Sequence, residues 1–182
     1  PIDAPKAASI LRNRKGVGEA ELGLANEMAI NQFIAHHSVI FQPEKKRMWV
    51  STAPWQCGKY VAYDLNRIFS DSIDFNHEIY TENLTVPADS FLQQQEYQQL
   101  MTYKRLAPVL RKQIKKKERL DEQTLHAFQH ANPHFFYVYE LLGDYYHATG
   151  QKDKALRNWK KALLLPIPKR SESERIEHKI NN

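Results

Sequence analysis

The chain has 182 residues and a mass of 21.3 kDa, which suits one ordinary domain, or a small domain with a helical appendage. Hydrophobic residues make up 42% and charged residues 26%, a composition that excludes wholesale disorder. A single cysteine excludes an internal disulfide and any multi-cysteine zinc site. No apolar run approaches the roughly 20 residues of a transmembrane helix, and the opening Pro1-Ile2-Asp3-Ala4-Pro5 lacks the charged-then-apolar order of a signal peptide. A lone cysteine is compatible with both cytoplasm and periplasm, so the compartment stays open.

The net charge of +5 hides a block pattern. Residues 71–100 hold six acids and no Lys or Arg, 101–120 hold eight bases and one acid, and 121–150 hold four acids and no Lys or Arg. A basic block between two acidic ones reads first as compensation along solvated helix faces. The alternative is an electrostatic footprint for nucleic acid through Lys104–Arg119. No nucleic-acid motif accompanies the block and it does not extend along the chain, so nucleic acid is not an expected partner.

In chain order, the first third is the glycine-rich part, with Gly16, Gly18, Gly23 and Gly58. Residues 34–52 predict a β-hairpin: Ile34, Ser38, Val39, Ile40 and Phe41 run into the polar turn 42–46, and Arg47, Met48, Trp49, Val50 and Ser51 return. Pro43 suits the turn and not a ladder. Two strands are marginal in water, so this hairpin needs a larger sheet or a helical layer. Residues 1–70 hold too little strand for that sheet, and the segment reads as the edge of a structure whose other strands lie elsewhere in a longer chain. Residues 59–69 are short and amphipathic, and 70–90 form an acidic connector with Asn83 and Pro87.

From about residue 89 the pattern turns helical, with Phe91, Leu92, Tyr97, Leu100, Met101, Ala107, Leu110 and Ile114 mostly three or four apart. Pro108 should kink or divide this run. Asp121 predicts an N-cap for a helix carrying Leu125 and Phe128. Asn132-Pro133 predicts an N-cap followed by proline at the first helical position, and Thr149-Gly150 a helix end. Ser171-Glu172-Ser173-Glu174 has the order of a capping box.

Three sets of residues are candidates for chemistry. Cys57 is a nucleophile only if a base such as His36 or His37 folds near it, and a lone cysteine is more often a small buried apolar residue. His126, His130 and His134 are four apart, as metal ligands on one helix face would be, but Asn132-Pro133 interrupts them and no HExxH arrangement is present. Gly16-Val17-Gly18 lacks the third glycine and the strand-to-helix setting of a dinucleotide loop. No metal, cofactor or catalytic residue is assigned from these patterns.

Phe136, Tyr139, Leu142-Gly143, Tyr146, Ala155, Trp159 and Ala162 resemble one tetratricopeptide repeat over about 136–167. Small Gly143 and Ala155 stand where two helices would cross closely, and Tyr146 and Trp159 would fill the space between them. One repeat makes no solenoid. The pair reads as a helical cap or as a groove for a peptide, and Lys152, Lys154, Lys160 and Lys161 would then favour an acidic partner.

A second resemblance covers roughly 7–66. Its segments are Ala7–Gly16, Gly23–Gln32, Ile34–Pro43, Met48-Trp49-Val50-Ser51 and Gly58–Leu65, with the hairpin "HSVIF…MWVS" as the strongest element. Together they resemble the C-terminal part of the isopenicillin-N acyltransferase-like and choloylglycine-hydrolase-like group of N-terminal-nucleophile hydrolases. The resemblance implies an αββα sandwich in the parent protein. It also implies hydrolysis of a linear amide, or acyl transfer, by a cysteine freed at the mature N-terminus, whose α-amine serves as base. Residue 1 is Pro and Cys57 lies in the wrong segment, so no catalytic residue carries over, and the family's arginine, aspartate and asparagine motifs would lie upstream. The expected fold class is α+β. Residues 1–88 would be the C-terminal segment of the hydrolase domain with its linker, and 89–182 a mainly helical tail. The expected partner is the upstream segment of the hydrolase chain, with a peptide or protein on the tail. The alternative function is a non-catalytic helical interaction module.

Overall fold

The computed structural model describes residues 2–70, 74, 76 and 78–181, so part of the acidic connector (71–73, 75 and 77) lies outside the described residues. The class is α+β, with a small antiparallel sheet among seven helices over the described residues. The chain divides into two compact units, Pro1–Arg14 with Ile30–Gln93, and Lys15–Ala29 with Gln94–Asn182.

In the first unit, Asp3 starts α1 (Ala4–Leu11) by accepting the Lys6 backbone N–H at 2.8 Å. The expected hairpin forms as β1 (Val39–Gln42) and β2 (Arg47–Ser51), with Ile40 opposite Trp49 and Phe41 opposite Met48. Its turn is one 3-10 turn at Pro43–Lys45, closed by Lys46 in the left-handed region. The amphipathic stretch at 59–69 supplies a third strand, β3 (Tyr60–Asp64), antiparallel to β2, and then the single turn α2 (Leu65–Ile68). Strand order is β1-β2-β3. The far edge of β3 is partly closed, because Tyr60 bridges to Val86 and the Thr81 N–H donates to the Ala62 carbonyl at 2.8 Å. The outer edge of β1 has no strand partner among the described residues.

Alternation sorts the sheet into two unlike faces. Trp49, Tyr60 and Ala62 form a buried core with Ala8 of α1 and Val86, and Ile40 packs against it. The Trp49 indole N–H donates to the Leu84 carbonyl at 2.8 Å, which satisfies its one polar atom. The opposite face carries Val39, Phe41, Met48, Val50, Val61 and Tyr63, and none of them is buried.

Arg12 ties the loop before β3 to the rest of this unit. Its guanidinium donates to the carbonyls of Gly58 at 2.6 Å and Pro87 at 2.8 Å and lies 5.0 Å from the Tyr60 ring centre. Gln56 donates in return to the Leu11 carbonyl at 2.6 Å. Arg12→Ala leaves those carbonyls without a charged donor and should cost about 2 kcal/mol. Urea unfolding measures that loss, and limited proteolysis should show cleavage gained at 52–58. Lysine at the same position should restore only part of it, being a single point donor.

The second unit is built on α3 (Gln95–Lys116), α4 (Glu122–Ala131), α5 (Phe136–Ala148), α6 (Lys152–Leu163) and α7 (Arg170–Asn181). Pro108 does not divide α3. Buried Leu100, Tyr103, Leu106, Ala107 and Leu110 bracket it, and their shared apolar face outweighs the roughly 3 kcal/mol that an internal proline costs. Asp121 caps α4 as expected, accepting from the Thr124 N–H at 2.7 Å and its hydroxyl at 2.8 Å. Helix α5 ends at Thr149-Gly150, also as expected, with Gly150 at φ 79°.

Two cap expectations are corrected. Asn132 does not cap α5, which begins at Phe136 after Phe135. Its amide is spent on a distant backbone instead: it accepts from the Leu24 N–H at 2.9 Å and donates to the Leu24 carbonyl at 2.6 Å. This holds 15–29 on the helices, and Gly23 sits there at φ 77° with no room for a Cβ against the Phe135 backbone. Ser171 is not a cap either. Helix α7 starts at Arg170, and its first turn closes on the Lys169 carbonyl, which accepts the Glu172 N–H at 3.0 Å.

Helices α5 and α6 form an antiparallel pair, since Tyr139 meets Lys161, Gly143 meets Trp159 and Tyr146 meets Lys154. A Cβ on Gly143 would stand 2.3 Å from the Trp159 ring, so only glycine permits this crossing. Helix α7 locks onto α5 through buried Glu140. Arg175 binds both of its oxygens at 2.8 Å, and Lys179 reaches Glu140 at 2.7 Å and Asp144 at 2.8 Å.

Candidate functional site

Cys57 is fully buried and accepts from the Asn31 side-chain amide at 3.3 Å. Burial pushes its thiol up, the Asn31 hydrogen bond opposes this, and the charges bearing on it are Asp89, Arg14 and Arg12. Neither His36 nor His37 is among its partners, and both are exposed before β1 begins. The geometry is that of a protonated, enclosed thiol.

The three spaced histidines do not converge. His126 and His130 stack with ring centres 3.8 Å apart, and the His130 Nδ1 lies 2.9 Å from the His126 carbonyl. His134 lies beyond the end of α4. No set of three His, Cys, Asp or Glu side chains is placed to hold a metal among the described residues. Gly16 packs on Leu22 and Gly18 lies inside a short 3-10 turn, so the pair forms a plain loop.

Two surfaces remain, one in each unit. The first is the half-buried apolar face of the sheet. Phe41 at its edge is 66% exposed, and next to it Phe41, Pro43, Leu65 and Phe69 line an open hollow of about 600 Å³. Val39, Met48, Val50, Val61 and Tyr63 on the same face are half-buried. Its residues lie within the predicted hairpin and the 59–69 segment. The hairpin part was legible in the sequence as strand, whereas the β3 part was not.

The second surface is a groove of about 520 Å³ between α3 and α5. Arg111, Lys112 and Lys115 form its α3 wall, and Tyr137, Leu141 and Asp144 its α5 wall. The three bases make no ion pair among the described residues, unlike Lys116, which lies 3.5 Å from Glu118. Asp144 is already engaged by Lys179 at 2.8 Å and by the Trp159 indole N–H at 3.0 Å. Among the described residues, the block at 101–120 therefore has no ion-pair partner where it lines this groove. Of the lysines singled out on α6, Lys154 pairs with Glu122 at 3.5 Å and lies over Tyr146, and Lys161 lies over Tyr139. Those two cations are partly spent inside the unit.

No helix among the described residues is long and apolar enough to cross a membrane. A scan against protein-family models finds none that matches, and searches of curated proteins and of solved structures find no similar protein.

Proposed function

We propose that this chain is the C-terminal structural segment of a linear-amide hydrolase or acyltransferase of the N-terminal-nucleophile type, with the cysteine nucleophile on upstream chain. The helical tail, with its tetratricopeptide-like pair α5–α6, is an appendage of that enzyme. One observation carries the reading: the sheet is covered by a helix on one face and presents Val39, Phe41, Met48, Val50, Val61 and Tyr63 on the other. Helix on sheet is half of an αββα sandwich, and a second sheet would pack about 10 Å away on such a face. The β1 edge, without a strand partner among the described residues, gives room for the sheet to continue. Leaving those side chains half-covered forfeits on the order of 1 kcal/mol each. The runner-up, a non-catalytic helical interaction module, draws its support from the basic α3–α5 groove.

The test compares the 182-residue chain with the native species recovered from its source. Phe41→Asp/Val50→Asp should cost the chain itself about 1–2 kcal/mol and leave it folded, since Phe41 is 66% exposed and Val50 is half-buried on the central strand. In the native enzyme the same pair should abolish assembly and turnover of a linear amide. The native species should exceed 21.3 kDa in total and present an N-terminal cysteine. A native species of 21.3 kDa without a larger parent, or an enzyme indifferent to both aspartates, overturns the reading.

A further inference from the structure

We infer that the α3–α5 groove is a docking site for an acidic, extended peptide segment of a partner protein. Arg111, Lys112 and Lys115 are exposed on one side of α3, and no carboxylate answers them among the described residues. The one acid in the groove, Asp144, already faces Lys179 and Trp159. A ligand that brings carboxylates therefore meets charges that have no ion-pair partner among the described residues. Such complementarity sets encounter rate and choice of partner.

The dimensions favour a peptide over a nucleic acid. Arg111 and Lys115 are one helical turn apart, about 6 Å along α3. Alternate side chains of an extended peptide repeat at about 6.6 Å, so two acids on one side of a strand match that spacing. Leu141 and Ile114 add apolar lining to the groove that suits the intervening aliphatic side chains. Single-stranded nucleic acid is held by aromatic platforms for successive bases along a longer basic track. The groove offers one aromatic ring, Tyr137.

The inference does not depend on the hydrolase reading, and its variants touch no residue of the sheet unit. The test uses the full chain and fluorescence anisotropy with a short fluorescein-labelled peptide of glutamates and interspersed leucines. An oligouridylate of equal charge serves as competitor. Saturable peptide binding is expected at low salt, and Arg111→Glu/Lys112→Glu/Lys115→Glu should weaken it at least about tenfold. The same number of charges reversed at exposed positions outside the groove, Arg105→Glu/Lys117→Glu/Arg157→Glu, should change it less than about twofold. Circular dichroism verifies that both variants fold, and glutamine at the three α3 positions gives a milder series if charge reversal disturbs the helix. Absence of saturable binding by the wild type, equal losses in the two variants, or tighter binding of the oligouridylate overturns the proposal.

Discussion

Arg175→Met/Lys179→Met should unfold about 3–5 kcal/mol more easily than the wild type at pH 7. Both changes keep aliphatic bulk on α7 and remove the cations that answer Glu140, which is 2% exposed. A buried carboxylate stripped of its partners keeps its full desolvation cost, whereas a partnered one offsets it. Urea unfolding measures the loss, and its pH dependence distinguishes this cause from lost packing. In the wild type, burial pushes the Glu140 carboxyl up, but hydrogen bonds and charge from Arg175 and Lys179 outweigh that and hold it below its ordinary value. A depressed folded value means that the stabilisation is fully present above the unfolded carboxyl range near 4.5 and is lost as pH falls through the folded value. In the double variant burial acts unopposed, so the folded value rises and acidification relieves the strain. The gap between the two proteins should therefore narrow as pH falls from 7 toward 4. A gap independent of pH would assign the effect to packing of α7 alone.

Gly143→Ala should cost about 1–3 kcal/mol or more, a large effect for one methyl group. Elsewhere in a helix that change is favourable, because alanine is the better helix former by about 1 kcal/mol. Here the new Cβ would stand 2.3 Å from the Trp159 Cδ1 and 2.4 Å from its Nε1, so the helices must separate or the indole must turn. Turning the indole breaks its 3.0 Å hydrogen bond to Asp144, which also holds Lys179 of α7. Trp159→Leu removes the obstacle while creating its own deficit, and the two substitutions together should destabilise by less than their sum. Denaturant unfolding of the four proteins in a double-mutant cycle measures that coupling. Additive costs would show that the close crossing is not what requires glycine.

Local signals in the sequence determined much of the secondary structure. The hairpin was legible because β-branched and aromatic residues alternate on both sides of a polar turn containing Pro43. Asp121 and Thr149-Gly150 marked helix ends correctly because a cap acts within three or four residues of itself. That the hairpin needs more structure beside it was legible too, since two strands alone are marginal in water, but the expectation of too little strand in 1–70 is corrected: Tyr60–Asp64 completes a three-stranded sheet, with Ala8 of α1 packed on one face.

What only the tertiary structure decided involves partners far apart in the chain. Tyr60–Asp64 reads as a short amphipathic segment until β2 lies beside it, and only pairing makes it a strand. Asn132 has the residue type and the following proline of a helix cap, yet its amide serves Leu24, and nothing near residue 132 announces that contact. Pro108 is a helix breaker in isolation, but the buried face of α3 carries the helix through it. The charge blocks show the same division. Composition located the bases at 101–120, while the fold decided which of them remain unanswered, because Asp144 and Glu140 are taken by Lys179 and Arg175 from α7. Short-range propensities and caps are written in neighbouring residues, whereas the use of each polar group is settled only when packing brings its competitors together.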